Sequence, residues 1–123
     1  MNATQRKDKL IELCNTLPEV TVEGDHHLQF KVRGKSFGWY MDNHHGDGKI
    51  ALCCKAASGD QEFLIQADSE KFFRPAYLGA NGWIGIRLDL STIDWGEING
   101  FVTSAYKLSA PKRLVATLPH NSK

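Results

Sequence analysis

Residues 27–41, HLQFKVRGKSFGWYM, alternate apolar and polar side chains on both sides of a central Arg-Gly-Lys sequence. Leu28, Phe30 and Val32 would share one face of a strand, as the alternation of a half-buried strand requires. The Arg-Gly-Lys sequence that follows favours a tight turn, because Gly34 has no Cβ and adopts positive φ without cost. The stretch therefore predicts a β-hairpin.

The second strand of this hairpin and the segment after it predict a third strand. We expect the two faces of the second strand to be formed by two sets of residues: Phe37, Trp39 and Met41 on one, Gly38 and Tyr40 on the other. Residues 42–49, DNHHGDGK, are rich in turn-forming Asn, Asp and Gly. Residues 50–55, IALCCK, alternate again, with Cys54 facing the core and Cys53 facing outward. The result is a three-stranded antiparallel meander.

The flanking segments predict helices and one further strand. Leu10, Leu13, Cys14 and Leu17 fall on one stripe of an amphipathic helix. After the meander we expect two short helices, at 61–67 and 69–73, and then a strand in WIGIRLDL at 83–90. The capping pair Asp94 and Glu97 predicts the start of a further helix, and a terminal helix is expected near Pro111. This order predicts the α+β class: an antiparallel β-sheet meander with helices packed on one face.

Composition is that of an ordinary globular domain. The 123 residues are 41% apolar and 24% charged, so we expect a single domain over 1–123. No apolar run is long enough to cross a membrane, and the adjacent Cys53 and Cys54 make a poor disulfide framework. We therefore expect a reduced, cytoplasmic protein with no membrane association. Net charge is +1, but residues 27–55 hold five basic and two acidic side chains.

Five stretches covering nearly the whole chain are similar to the MmcQ/YjbR family: LPEVTVEGDHHLQFKVRGKSFGWYM at 17–41, NHHGDGKIALCCKA at 43–56, FFRPAYLGANGWIGIRLD at 72–89, DWGEINGFVTSAYKL at 94–108 and APKRLVATL at 110–118. The resemblance implies a CyaY-like (frataxin-like) fold with two hairpin wings projecting from the sheet. It also implies a double-wing DNA-binding motif, and the family has no agreed enzymatic activity.

The histidines and cysteines raise the question of metal or covalent chemistry. A zinc site using His44, His45 and one cysteine remains geometrically possible, but the usual C-x2-C and H-x3-H spacings are missing. Iron binding, which the frataxin likeness suggests, would need a dense row of Asp and Glu that the first helix lacks. A covalent site at Cys53 beside a histidine lacks an orienting third group. In residues 46–49, GDGK, the lysine precedes a strand rather than a helix, unlike a phosphate-binding loop. We predict no metal, no cofactor and no enzymatic activity.

Nucleic acid is the partner that the charge pattern and the resemblance favour together. The expected contacts to double-stranded DNA, mainly through phosphates, are Lys31, Arg33, Lys35, Tyr40, His44, His45, Lys49 and Arg87. The same residues are also typical of the solvated face of an antiparallel sheet. The alternative function is a binding module for a small ligand or a protein partner, which would use the aromatic sheet face and the loop at 74–83.

Overall fold

An antiparallel sheet is the central element of the fold. The computed structural model describes residues 1–119; residues 120–123 of the expected domain lie outside this range. The strands are β1 (Val20–Gly24), β2 (Leu28–Val32), β3 (Lys35–Asp42), β4 (Ile50–Cys54), β5 (Phe72–Phe73) and β6 (Ile84–Arg87). The helices are α1 (Ala3–Asn15), α2 (Asp60–Ala67), α3 (Trp95–Ser109) and α4 (Lys112–Val115). Strand order is β1-β2-β3-β4-β6-β5, so the predicted α+β class and the β2–β3–β4 meander are confirmed.

The main core lies between the sheet and the pair of helices α1 and α3. Leu10 and Cys14 of α1 are fully buried there, as the helical stripe predicts. Tyr106 of α3 packs edge-on against Phe37 at 5.7 Å between ring centroids. Its hydroxyl group donates a hydrogen bond of 2.8 Å to the carbonyl of Pro18. Helices α1 and α3 therefore cover one face of the sheet.

A β-bulge in β3 changes which side chains face this core. Phe30 pairs with Gly38 and Lys31 pairs with Ser36, so Phe37 is an extra residue on β3. An extra residue shifts the alternation by one position and moves every later side chain to the other face. Phe37 and Tyr40, 1% and 3% exposed, therefore both face the helices. The expectation that Tyr40 points outward is wrong.

Two strands were not predicted from the sequence. Strand β1 pairs with β2 along its whole length and forms one edge of the sheet. Strand β5 occupies the place of the helix expected at 69–73, which does not form. The Asp68 carboxylate accepts hydrogen bonds from the backbone N–H groups of Glu70 and Lys71, which turns the chain. Phe72 and Phe73 then pair with β6.

The second face of the sheet is covered in its centre by the chain between β4 and β6. Met41 and Cys53 are buried there, and Trp39, Phe73 and Leu78 pack against them. Cys53 is 2% exposed, so the expectation that it faces outward is wrong. Trp83 is also buried, at 8% exposed. Gly85 permits this cover, since a Cβ at that position would lie 2.5 Å from the Phe73 ring.

Side-chain caps begin the two longest helices, α1 and α3, and the cap of α3 is the predicted one. The Asn2 side chain accepts a hydrogen bond from the Gln5 N–H, and the Gln5 side chain accepts one from the Asn2 N–H. The Asp94 carboxylate accepts a hydrogen bond of 3.1 Å from the Glu97 N–H at the start of α3. Within residues 1–119, no helix has the length and apolar character needed to cross a bilayer.

Candidate functional site

The two hairpin tips expected to act together lie at opposite ends of β3. The β2–β3 turn precedes Lys35, and the tip at 43–49 follows Asp42. Eight strand residues at about 3.3 Å each separate the tips by roughly 25 Å. The two tips therefore do not form one continuous surface.

Three of the predicted DNA contacts are paired with carboxylates of the chain itself. The Lys31 amino group lies 3.3 Å from the Glu23 carboxylate. Arg87 makes two hydrogen bonds to the Asp89 carboxylate, at 2.9 and 3.0 Å. Arg33 makes two hydrogen bonds to Glu19. A phosphate would have to compete with these internal partners for the same cations.

The basic end, which we define as Arg33, Lys35, Arg113 and Glu19, lies around the β2–β3 turn. Arg33 and Gly34 both have positive φ, 50° and 79°, the backbone expected of a type I′ hairpin turn. The hydrogen bond from Arg33 holds the pKa of Glu19 below its ordinary value, and the nearby charge of Arg113 lowers it further. Lys35 is exposed and has no ion-pair partner among residues 1–119. Three cations against one carboxylate give this end a net charge of +2.

The histidine end, which we define as His26, His27, His44, His45 and Tyr77, lies at the opposite end of β3. Its five rings form a continuous row. The ring centroids of successive members are 4.7, 5.5, 4.1 and 4.8 Å apart. Three separate segments of the chain contribute: the β1–β2 turn, the β3–β4 tip and the connection between β5 and β6.

Hydrogen bonds fix the first two rings of this row. The Nε2 atoms of His26 and His27 lie 3.0 and 2.9 Å from the same backbone carbonyl, that of Asp42. Because a carbonyl oxygen only accepts, each imidazole donates from Nε2. The β1–β2 turn is thereby attached to the end of β3.

The tip at 43–49 is ordered by its own side chains. The Asn43 side-chain oxygen accepts a hydrogen bond from the Gly48 N–H at 2.8 Å. The Asp47 carboxylate accepts one from the Lys49 N–H at 2.9 Å. The Lys49 amino group lies 5.1 Å from the centroid of the Phe73 ring, a cation–π contact. These contacts hold His44 and His45 in a defined position.

The backbone is strained where the row is formed. Asn43 and His45 have φ of 55° and 54°, and Tyr77 has φ of 64° with ψ of −56°. The Leu78 N–H donates to the Ala76 carbonyl at 2.7 Å, which makes Tyr77 the centre of a classic γ-turn, a rare and strained form. Such residues cost about 1–3 kcal/mol each and cluster at functional sites.

The charge of the histidine end is close to neutral when its imidazoles are uncharged. The charged residues in the loops that carry these rings or in contact with those loops are Lys7, Lys49, Asp25, Asp42 and Asp47. Their formal charges sum to −1. Partial burial lowers the pKa of His44, and the adjacent His45 and His27 lower it further. The neutral state of His44 is therefore favoured at neutral pH.

Neither a metal site nor a reactive thiol is preformed among residues 1–119. Within residues 1–119, no three His, Cys, Asp or Glu side chains are grouped as a ligand set. Burial raises the pKa of Cys53 to about 12, so the thiolate needed for nucleophilic attack is not populated at neutral pH. The arrangement thus gives no support to covalent catalysis at Cys53.

Sequence reasoning did not place His26, His27 or Arg113 at these two ends, and it reached Tyr77 only as part of the loop at 74–83. The two histidines had a detectable signal: they lie in the short turn before β2, whose pairing with β3 brings them to Asp42. The positions of Tyr77 and Arg113 depend on the path of long connections, which local patterns do not determine.

Comparison with known proteins agrees with this architecture. A family model described as YjbR matches residues 15–108. A crystal structure of the Deinococcus radiodurans protein DR2400, described with a DUF419 domain, aligns with a TM-score of 0.67 at 24% sequence identity. The alignment covers 83% of this chain and 76% of that one, and it shows the shared fold alone. No match is found among curated proteins.

Proposed function

Because this chain belongs to the YjbR family, we propose that it is a DNA-binding protein without catalytic activity that contacts phosphates through the basic end of its sheet. The resemblance to the MmcQ/YjbR family implies that hairpin wings contact double-stranded DNA. The observation that carries the proposal is the +2 charge of the basic end, where Lys35 is exposed and free of internal ion pairs among the described residues.

The contacts follow from the chemistry of the three cations. Lys35 presents a mobile point charge at the turn, which suits a phosphate oxygen. Arg33 already holds Glu19 through two donors, and a guanidinium group has five N–H donors in all. Arg113 adds a third positive charge beside them. Phosphate contacts of this kind position a protein on DNA without reading the sequence.

The proposal narrows the set of predicted contact residues. Tyr40 is excluded because it is 3% exposed. Lys31 and Arg87 each pair with one carboxylate, so neither pair carries a net charge, whereas the basic end keeps a net charge of +2. His44, His45 and Lys49 lie roughly 25 Å away at the other end of β3, so they would not touch the same phosphates as Lys35.

The second candidate function is a binding module on the aromatic sheet face, and most of the surface that it would use is covered. That face is occupied by Phe73 and Leu78 of the chain itself. What remains of it is the loop at 74–83, where Tyr77 is 76% exposed. A small-ligand or protein partner at that loop stays a proposal.

A cytoplasmic location is part of the main proposal. Cys14, Cys53 and Cys54 are free and buried, and free thiols are typical of reducing compartments.

A salt titration of duplex binding tests the function. Neutralising about three phosphates predicts a slope of log K against log salt of about −2.7. Lys35→Gln should make this slope shallower by about 0.9. Lys9→Gln is the matched control, because Lys9 lies on α1 and pairs with Glu12; it should leave the slope unchanged. Absence of duplex binding at low salt would overturn the proposal.

A further inference from the structure

We propose that the histidine end stacks unpaired nucleobases, so that the protein binds single-stranded nucleic acid or the unpaired part of a partly duplex one. This inference rests on the proposed function, since it names a substrate class for a nucleic-acid-binding protein. It concerns a surface that the phosphate contacts of the basic end do not use.

The first argument is the accessibility of the rings. Large apolar side chains of this protein are mostly buried, yet Tyr77 is 76% exposed and stands 4.8 Å from the His45 ring. His26 and His45 are exposed as well, while His27 and His44 are half-buried. A row of rings that is half-buried at its centre and exposed at its ends offers several π-faces to a planar ligand.

The second argument is the backbone that holds the row. Asn43, His45 and Tyr77 adopt positive φ in two separate loops that meet at one place. Each non-glycine residue with positive φ raises the free energy of the folded state. The core gains nothing from directing Tyr77 outward, because this side chain buries little area. The strained turn instead holds the Tyr77 ring beside the histidines. The row of rings is therefore already arranged before any ligand binds.

The third argument is charge. With neutral imidazoles the carboxylates near the row outnumber the lysines by one. Such a surface attracts neither a duplex nor a single strand through its phosphates, so binding here must come from contacts to the bases. Stacking requires no net positive charge, since every base has a π-face and histidine and tyrosine are both used for it. The Lys49 amino group on the same tip supplies one contact for a strand's phosphate.

The chemistry of the row thus favours bases that are free of a partner strand. Paired bases expose only their edges in the grooves, which a row of exposed rings does not reach. Binding here would tolerate sequence variation, because stacking depends weakly on base identity.

The test compares three labelled probes by fluorescence anisotropy at low salt and neutral pH: an oligothymidine strand, an abasic strand of the same length, and a duplex. The oligothymidine and abasic strands carry the same number of phosphates, so the difference between their affinities measures the contribution of the bases. Wild type should bind the oligothymidine about tenfold more tightly than the abasic strand.

The variants isolate the ring of Tyr77. Tyr77→Leu should abolish the preference for oligothymidine, and Tyr77→Phe should retain it, because only phenylalanine keeps a π-face. Phe63→Ala is the matched control, since Phe63 is 70% exposed on α2, outside the row; it should change nothing. Equal thermal midpoints confirm that each variant is folded.

The outcomes separate the two proposals. Duplex binding with equal affinity for oligothymidine and abasic strands would overturn the stacking inference and leave the proposed function standing. Unchanged preference in Tyr77→Leu would also overturn it. If none of the three probes binds, the proposed function is overturned and the stacking inference falls with it.

Discussion

The substitution Gly85→Ala tests whether the connection between β4 and β6 is seated on the sheet as described. An alanine Cβ would lie 2.5, 2.6 and 2.7 Å from three carbon atoms of the Phe73 ring. Carbon atoms in contact prefer about 3.5–4.0 Å, so the ring must move by about 1 Å. Forced overpacking of this kind costs about 1–3 kcal/mol. Displacing Phe73 also weakens its cation–π contact with Lys49.

Urea denaturation followed by tryptophan fluorescence measures this cost. We expect the free energy of unfolding to fall by about 1–3 kcal/mol. The matched control is Gly100→Ala, the same chemical change on α3 with no atom within 4 Å of the new Cβ. It should raise stability by about 0.5–1 kcal/mol, because alanine favours helix over glycine. An unchanged unfolding free energy for Gly85→Ala would refute the packing of Phe73 over β6.

Two further predictions concern the helix cap and the histidines. Asp94→Ala removes the carboxylate that accepts the Glu97 N–H and should cost about 1 kcal/mol, measured by urea denaturation with Asp94→Asn as a nearly neutral control. Because the pKa of His44 is lowered in the folded state, the folded state binds fewer protons than the unfolded state. The ordinary pKa of histidine is about 6.5, so His44 reduces the free energy of unfolding as the pH falls through that value. His44→Gln should therefore lose less stability than wild type between neutral and mildly acidic pH, and equal losses would contradict the direction of that shift.

The sequence predicts the β2–β3–β4 meander because alternation and turn chemistry are local. It does not predict the faces of β3 beyond Phe37, because one bulged residue reverses the alternation. Gly38, a glycine within a strand, is the one local signal of that bulge. The predicted outward position of Tyr40 is wrong for this reason.

The candidate site was predicted less completely than the fold. The charges at Arg33 and Lys35 are visible in the sequence, but Glu19, which pairs with Arg33, lies in the turn before β1, a strand that the alternation does not reveal. A two-residue strand such as β5 has no detectable period. The position of Tyr77 beside His45 depends on that strand and on a strained turn. Such non-local contacts are decided by packing rather than by local pattern.

Backbone-amide NMR during addition of a short DNA duplex at neutral pH tests the central claim, that the basic end is the DNA-contacting surface. The account predicts shift changes at Arg33, Gly34 and Lys35 and in α4, with little change at His44 and His45. Absence of shift changes at the basic end, or shift changes confined to the β3–β4 tip, would contradict it.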